Sequence, residues 1–368
     1  MNKNTKLLLF TGSYSDAADS GIQVFEFNEE AGGSLSLLHK VKGITNPTFL
    51  EVDPIGRRLY AIGEKPNGQG GKEGEVATYS INPETGELSE LNRTTTMPAE
   101  GKGQTTTCHI NRDLDSQYLI VCSYHGGSIG LVSLDEEGKT NRLCDIAVHT
   151  GHGAHPERQD RPHPHSAIFS PDGRFIFVSD LGLDIIRCYT IDRQNGTFVP
   201  MGDTQLHPGA GPRHFAFHPD GKSAYVINEV DSTITTFTYD REKGELNTVM
   251  TISTLPNDYV GDNICAEIAL SIDGRFVYGS NRGMDSIVVY AVDAATAKLT
   301  LVEHVSTRGG HPRHFTLTPD GGYLISANRD GNHLVVFSLD KNSGRLTYTG
   351  NTAEVSKPVC VKPAVFRV

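Results

Sequence analysis

The sequence predicts an all-β chain folded as a seven-bladed β-propeller, with four antiparallel strands to a blade and the ring closed by strands from both termini. Three observations carry this. Four copies of one pattern follow each other: IFSPDGRFIFVSDLGLDIIRCYTIDRQNGTF from Ile168, FHPDGKSAYVINEVDSTITTFTYDREKGEL from Phe217, LSIDGRFVYGSNRGMDSIVVYAVDAATAKL from Leu270, and LTPDGGYLISANRDGNHLVVFSLDKNSGRL from Leu317. Their turn glycines Gly173, Gly221, Gly274 and Gly321 lie 48, 53 and 47 residues apart, the period of four-stranded blades. Runs such as FIFV and TITTFTY are β-branched and aromatic at period two, which excludes a helical repeat.

The count of seven comes from weaker copies and a split unit. VDPIGRRLYAIGE from Val52 and INRDLDSQYLIVCSYHGG from Ile110 supply two further blades. The opening residues, LLLFTGSYSDAADSGIQVFEFNEEAGGSL, match only the last three strands of a unit. KPVCVKPAVF from Lys357 resembles the missing first one. Closing the ring this way removes exposed sheet edges. Residues 1–368 therefore read as a single propeller domain. The absence of tryptophan excludes the WD-dipeptide form of the fold.

Composition narrows the partners. Lys and Arg number 33 against 44 Asp and Glu, a net charge of −11, which repels phosphate backbones and argues against nucleic acid. A local arginine cluster still admits a small anion. Six scattered cysteines without a CxxC pair read as reduced thiols. The stretch MNKNTKLLLFTGSYS holds an apolar run of only Leu7 to Phe10, too short for a secretory leader, and no segment has the ~20 apolar residues of a membrane span. A cytoplasmic protein is expected. Nothing in the sequence indicates oligomeric state.

Blade order sorts residues by face. With strands a to d counted outward from the channel, the PDG turns (a–b) and the second turns (c–d) share one face. The b–c loops and d–a connections share the other. That second face collects RPHPHS (Arg161 to Ser166), GPRH (Gly211 to His214), Ala266–Glu267 and HPRH (His311 to His314). The ends of the b strands add Tyr14, Glu64, His125, Asp180, Asn228–Glu229, Asn281–Arg282 and Asn328–Arg329. Loops converging on a rigid scaffold are a common place for a binding site. The competing reading is structural: the prolines shape the start of strand a, and Glu229 and Glu267 form an ion-pair network with the arginines.

The stretch HTGHGAHPERQDRPHPHS places histidines at 149, 152, 155, 163 and 165. Its spacing is not the helical H-E-x-x-H of a zinc site, and no obvious carboxylate or cysteine partner stands beside the His152–His155 pair. The loop is expected to fold over the pocket, with His163 or His165 as its working residue and no metal. His218, His39 and His304 read as structural. NGQGGKEGE lacks the strand–loop–helix context of a phosphate loop, and no Gly-x-Ser-x-Gly elbow is visible.

In this ordered set the chain resembles the lactonase family of seven-bladed propellers, which includes bacterial 6-phosphogluconolactonases and fungal carboxy-muconate lactonizing enzymes. The motifs are TGSY, the SPDGR-type turns, PHPHS, GPRH, the Asn-Glu pair and HPRHF, spread over essentially the whole chain. The resemblance implies His165, Arg213, Glu229 and Arg282 as catalytic residues. His163, His214, Glu267, Asn281, Arg313 and His314 are the expected substrate-binding residues around them.

The implied reaction is hydrolysis of a small anionic sugar lactone, 6-phosphogluconolactone above all, without metal or organic cofactor. His165 or Glu229 would be the base, Arg213 would face the carbonyl oxygen, and Arg282 with Arg313 would hold the phosphate. Available hydroxyl-binding groups are Asn228, Asn281, Asn328 and Asp180. A lactonizing enzyme acting on a carboxylated muconolactone is the alternative within the family. A non-catalytic scaffold is the alternative outside it, though a scaffold face would show apolar anchors.

Overall fold

A computed structural model describes residues 5–368; the first four residues of the amino-terminal stretch considered as a leader, Lys3 among them, lie outside the described residues. The regular elements are strands, arranged in seven antiparallel sheets around a central channel. Blades 1 to 6 begin at Leu50, His109, Pro164, Pro212, Ile264 and Pro312, and each runs outward through four strands in chain order. Blade 1 carries an extra two-residue strand, Gln104–Thr105, parallel to Lys72–Ile81. Among the described residues no helix is long and apolar enough to cross a membrane.

Blade 7 is the split unit. Its innermost strand is Pro358–Arg367, which pairs antiparallel with Thr5–Ser13 from Thr5↔Arg367 to Ser13↔Pro358; Ile22–Asn28 and Ser34–Val41 complete it. The hydrophobic core lies between neighbouring blades rather than at one centre. Phe177, for example, meets Phe215 at 5.7 Å and Tyr239 at 5.6 Å between blades 3 and 4.

The repeated SPDGR motif has a local explanation. Ser170 Oγ donates to Asp172 Oδ1 at 2.7 Å and accepts the Phe175 amide at 3.0 Å, while Gly173 takes φ +71°, a left-handed value that suits glycine. Ser271 with Asp273 and Thr318 with Asp320 repeat the arrangement. The following arginine reaches the next blade: Arg275 Nη2 donates to the Lys341 carbonyl at 2.6 Å, and Arg174 makes the equivalent bond to Arg241. These turns thus build one face of the ring and leave the opposite face to the longer connections. All six cysteines are free thiols.

Ring closure makes the carboxyl-terminal strand indispensable. Deleting residues 358–368 is expected to abolish the single cooperative thermal transition, followed by circular dichroism; a transition like that of the full chain would contradict it.

Candidate active site

Five innermost strands carry a break in pairing near their start, the one in blade 7 falling at Val359. In blade 3, Pro164 pairs with Asp180 and Ser166 with Ser179, so His165 has no cross-strand partner. The same shift leaves Arg213 unpaired between Pro212 and His214, and Arg313 unpaired between Pro312 and His314. In blade 5 it falls at Ala266 and Glu267. Proline suits the first position because it has no N–H to contribute to the ladder, and a bulge re-aims the next side chain. P-H-S and P-R-H are therefore bulge signatures that turn His165, Arg213 and Arg313 toward the channel mouth.

These residues line a cavity of about 390 Å³, together with Arg158, Glu229, Arg282, His214, His311, His314 and Arg329. Tyr14, Glu64, Tyr124 and His125 are also in its wall. A wider groove of about 930 Å³ adjoins it and shares Tyr14, but its walls carry Asp16, Asp19 and Glu354 and no arginine. The smaller cavity is the chemical one: five arginines face two glutamates there.

Glu229 is the hub. It follows the strand Ser223–Asn228, and its amide is fixed by the Gly211 carbonyl at 2.7 Å. Its Oε2 lies 2.8 Å from Arg213 Nε and 2.6 Å from Arg282 Nη2, while its Oε1 accepts a hydrogen bond from Arg158 Nη2. Arg213 and Arg282 are further tied down, donating to the carbonyls of Ala266 and Cys265 respectively. The Arg213 Nε contact is an ion pair at close range rather than an aligned hydrogen bond.

Burial alone would raise the Glu229 pKa, but Arg282, Arg213, Arg158 and Arg313 outweigh it and hold the carboxyl well below its usual range. Arg213 is pulled down to about 9, first by burial and then by Arg282 and Arg313, which leaves it charged at neutral pH.

His165 is buried, and its Nδ1 has no hydrogen-bond partner. Burial, then Arg213, His214 and Arg313, push its pKa well below the ordinary value, so the ring is neutral and one nitrogen is a free acceptor. Below it, Glu267 Oε2 accepts a hydrogen bond from His214 Nδ1 at 2.9 Å, and His314 Nε2 lies 3.0 Å from the same oxygen. His314 Nδ1 takes the Val361 amide at 3.4 Å, which fixes its tautomer. The rings of His109, His214 and His314 pack around Phe49, closing the channel beneath the cavity.

The expected site residues divide accordingly. His165, Arg213, Glu229, Arg282, His214, Arg313 and His314 line the cavity, and Glu267 supports it from below. His163 and Asn281 are not in its wall. His163 stacks on Tyr124 at 4.1 Å, and its Nδ1 donates to the Tyr124 carbonyl at 2.8 Å. Asn281 holds the strand to the 254–263 connection, its Oδ1 accepting from Thr254 Oγ1 at 2.7 Å and its Nδ2 donating to the Thr254 carbonyl at 3.0 Å.

The other groups considered for sugar hydroxyls are likewise engaged in the scaffold. Asn228 bonds Thr233 and Thr235, Asn328 bonds the Thr307 carbonyl, and Asp180 bonds His149 at 2.6 Å. Among the described residues no group of three or more His, Cys, Asp or Glu is arranged to hold a metal ion.

Among the wall residues that escaped the sequence reading, Arg158 and Tyr124 matter most. Arg158 sits in the histidine-rich connection, which does fold over the pocket, but the working side chain of that loop's middle is an arginine. It lies seven residues ahead of the bulged His165, with Arg161 between them, and no position of the repeat marked it out. Tyr124, which precedes His125, carried no signal beyond its place after a b strand.

The buried neutral histidines set a pH dependence. His109, His165 and His214 lie well below 6.5 and His314 is lowered to about 3, in each case chiefly by burial. Each depressed value means that the unfolded chain binds the proton more readily. Their contribution to stability is whole above pH 6.5 and is lost as pH falls toward 3, by up to about 1.4 kcal/mol per group per pH unit. The urea midpoint is expected to drop steadily from pH 7 to pH 4.5; a flat profile would contradict the neutral assignment. A second expectation concerns Gly182, where a Cβ would collide with the Arg161 carbonyl oxygen just ahead of His165. Gly182→Ala should cost roughly 1–3 kcal/mol in the same assay.

Known proteins resemble this chain over most of its length. Residues 8–363 match the family model "Lactonase, 7-bladed beta-propeller". A 6-phosphogluconolactonase of Bacillus subtilis is 37% identical over 97% of this chain and 98% of its own length. A protein of the same name from Formosa agariphila is 33% identical over 84% and 86%. Among solved structures, a Bacteroides fragilis protein superposes with a TM-score of 0.88 at 31% identity, covering 99% of each chain. The periplasmic gluconolactonase of Pseudomonas aeruginosa superposes with 0.86 at 30% identity, covering 98% of this chain and 99% of that one. The chain belongs to the lactonase family of seven-bladed β-propellers.

Proposed function

We propose that this protein hydrolyses a sugar δ-lactone bearing an anionic group, 6-phosphogluconolactone first among candidates. The observation that carries the reading is the charge of the cavity: five arginines against two glutamates, beside a buried histidine with a free ring nitrogen. The names of the relatives support the same chemistry. A binding scaffold is disfavoured by a concave cavity in which Arg, His and Glu outnumber the aromatic and apolar residues Tyr14, Phe49, Tyr124, Ile264 and Val359.

His165 accepts the proton of the attacking water as the water oxygen bonds to the lactone carbonyl carbon. Glu229 is a poor base, since three guanidinium groups stabilise its charged form. Arg213 stabilises the negative charge that develops on the carbonyl oxygen. When the ring carbon–oxygen bond breaks, the proton returns from His165 to the departing alkoxide, leaving a hydroxy acid that ionises in water.

No ion pair engages Arg313 among the described residues; its guanidinium lies over the Tyr14 ring at 5.5 Å, available for the phosphate. Binding a dianion there offsets the field of Arg213 and Arg313 on His165 and raises its basicity. Arg282 is committed to Glu229 and the Cys265 carbonyl, so its part is to hold the carboxylate rather than the phosphate. The reaction needs no metal in this scheme, and its setting is sugar-phosphate metabolism in the cytoplasm.

The test is hydrolysis of freshly generated 6-phosphogluconolactone against its spontaneous rate, with a carboxylated muconolactone run in parallel. Acceleration is expected with the sugar phosphate. His165→Ala and Arg213→Lys should each lower kcat by about 10²-fold or more, and Arg313→Ala should chiefly raise KM. Acceleration of the muconolactone alone would replace the substrate assignment, and wild-type rates in Arg213→Lys would remove Arg213 from the mechanism.

A further inference from the structure

The two oxygens of Glu229 are held in different ways. Oε2 is shared by Arg213 and Arg282, whose side chains are 3% and 2% exposed and are anchored on backbone carbonyls. Oε1 is held by Arg158, whose side chain is 32% exposed and comes from the connection between blades 2 and 3. No other partner of Oε1 is found among the described residues. The backbone beneath Arg158 is firmly set. Gln159 Nε2 donates to the Leu181 carbonyl at 2.8 Å and to Asp184 Oδ1 at 2.5 Å, and the Arg158 amide bonds His155 Nδ1 at 3.2 Å. Moving the guanidinium therefore takes side-chain rotation only, and the loop stays in place.

We propose that Arg158 makes the site respond to the substrate's phosphate: it covers Glu229 Oε1 in the empty cavity, and a bound phosphate dianion draws it away, uncovering that oxygen. This rests on the lactonase reading. Arg158 and Arg313 line the same cavity, and a dianion between them replaces one carboxylate contact with bidentate phosphate contacts. Glu229 keeps two guanidinium groups and stays ionised. The freed Oε1 then accepts a hydrogen bond from the attacking water, orienting it while His165 takes the proton. An unphosphorylated lactone lacks the means to displace Arg158 and meets a covered carboxylate. Arg158 is thus a specificity and positioning residue whose effect runs through Glu229.

The experiment compares wild type, Arg158→Gln and Arg158→Lys on 6-phosphogluconolactone and on unphosphorylated gluconolactone, the latter with and without phosphite dianion. Phosphite should raise wild-type turnover of gluconolactone about tenfold or more, acting as the missing phosphate. Arg158→Gln should turn over gluconolactone severalfold faster than wild type without phosphite, should ignore phosphite, and should show a KM for the phosphorylated lactone raised about tenfold. Arg158→Lys should keep a weakened phosphite response, and it decides the matter if the Gln variant does not fold.

Phosphite without effect on wild type overturns the proposal. So does an equal loss on both substrates in Arg158→Gln at an unchanged thermal midpoint, which would mark Arg158 as merely structural. A wild-type protein inactive on 6-phosphogluconolactone overturns the substrate assignment on which the switch rests; an active one with an indiscriminate Arg158 overturns only the switch.

Discussion

The site depends on one buried carboxylate. Without Glu229, the guanidinium groups of Arg213 and Arg282 would sit in a nearly closed space with mainly one another for company. Two such charges close together in a medium of low polarisability repel strongly. Removing one partner from a buried network of this kind typically costs about 3–5 kcal/mol, whereas an exposed pair such as Arg329 with Asp330 is worth roughly 0–1. Glu229 therefore organises the site before it serves any chemistry, and its ionisation is what allows so many cations to face one small cavity.

The scaffold supplies these groups by repeating a single device. A proline at the start of an innermost strand, a skipped pairing and a side chain turned to the mouth occur in blades 3, 4 and 6 with different residues at the turned position. The propeller thus converts a structural repeat into a functional set: histidine in one blade, arginine in the next. The two readings of P-R-H, strand geometry and chemistry, are one feature. The proline and the bulge are structural, and the residue between them is what each blade contributes to the cavity.

This explains what was legible. The fold followed from periodicity, since the turns that close each blade use Ser, Asp and Gly at fixed spacing, and the split blade left an unmatched strand at each end of the chain. The bulged residues and Glu229 were legible because they recur at equivalent places in the repeat. Arg158 was not, because it belongs to a connection that has no counterpart in the other blades. His163 and Asn281 misled for the opposite reason: polar residues at the right face are as readily used to tie strands and loops together, and only the hydrogen-bond partners distinguish the roles. Asn228 and Asn328 illustrate the same point at the ends of their strands.

The floor of the cavity bears on why the chemistry is confined to one mouth of the ring. Phe49 fills the axis within the rings of His109, His214 and His314, and Lys362 Nζ lies 4.5 Å from the centre of its ring on the inner strand of blade 7. Phe49 and the three histidine rings are all buried. Their burial also lowers the dielectric response around Glu267, which accepts hydrogen bonds from His214 and from the Ile268 amide. Burial likewise keeps His165 neutral and sharpens the field of Arg213 and Arg313 upon it. An anion arriving from the open side is the one species that can relieve that field. In this architecture the binding of charge and the basicity of the histidine are a single electrostatic event, set by the arginines that share the cavity with His165.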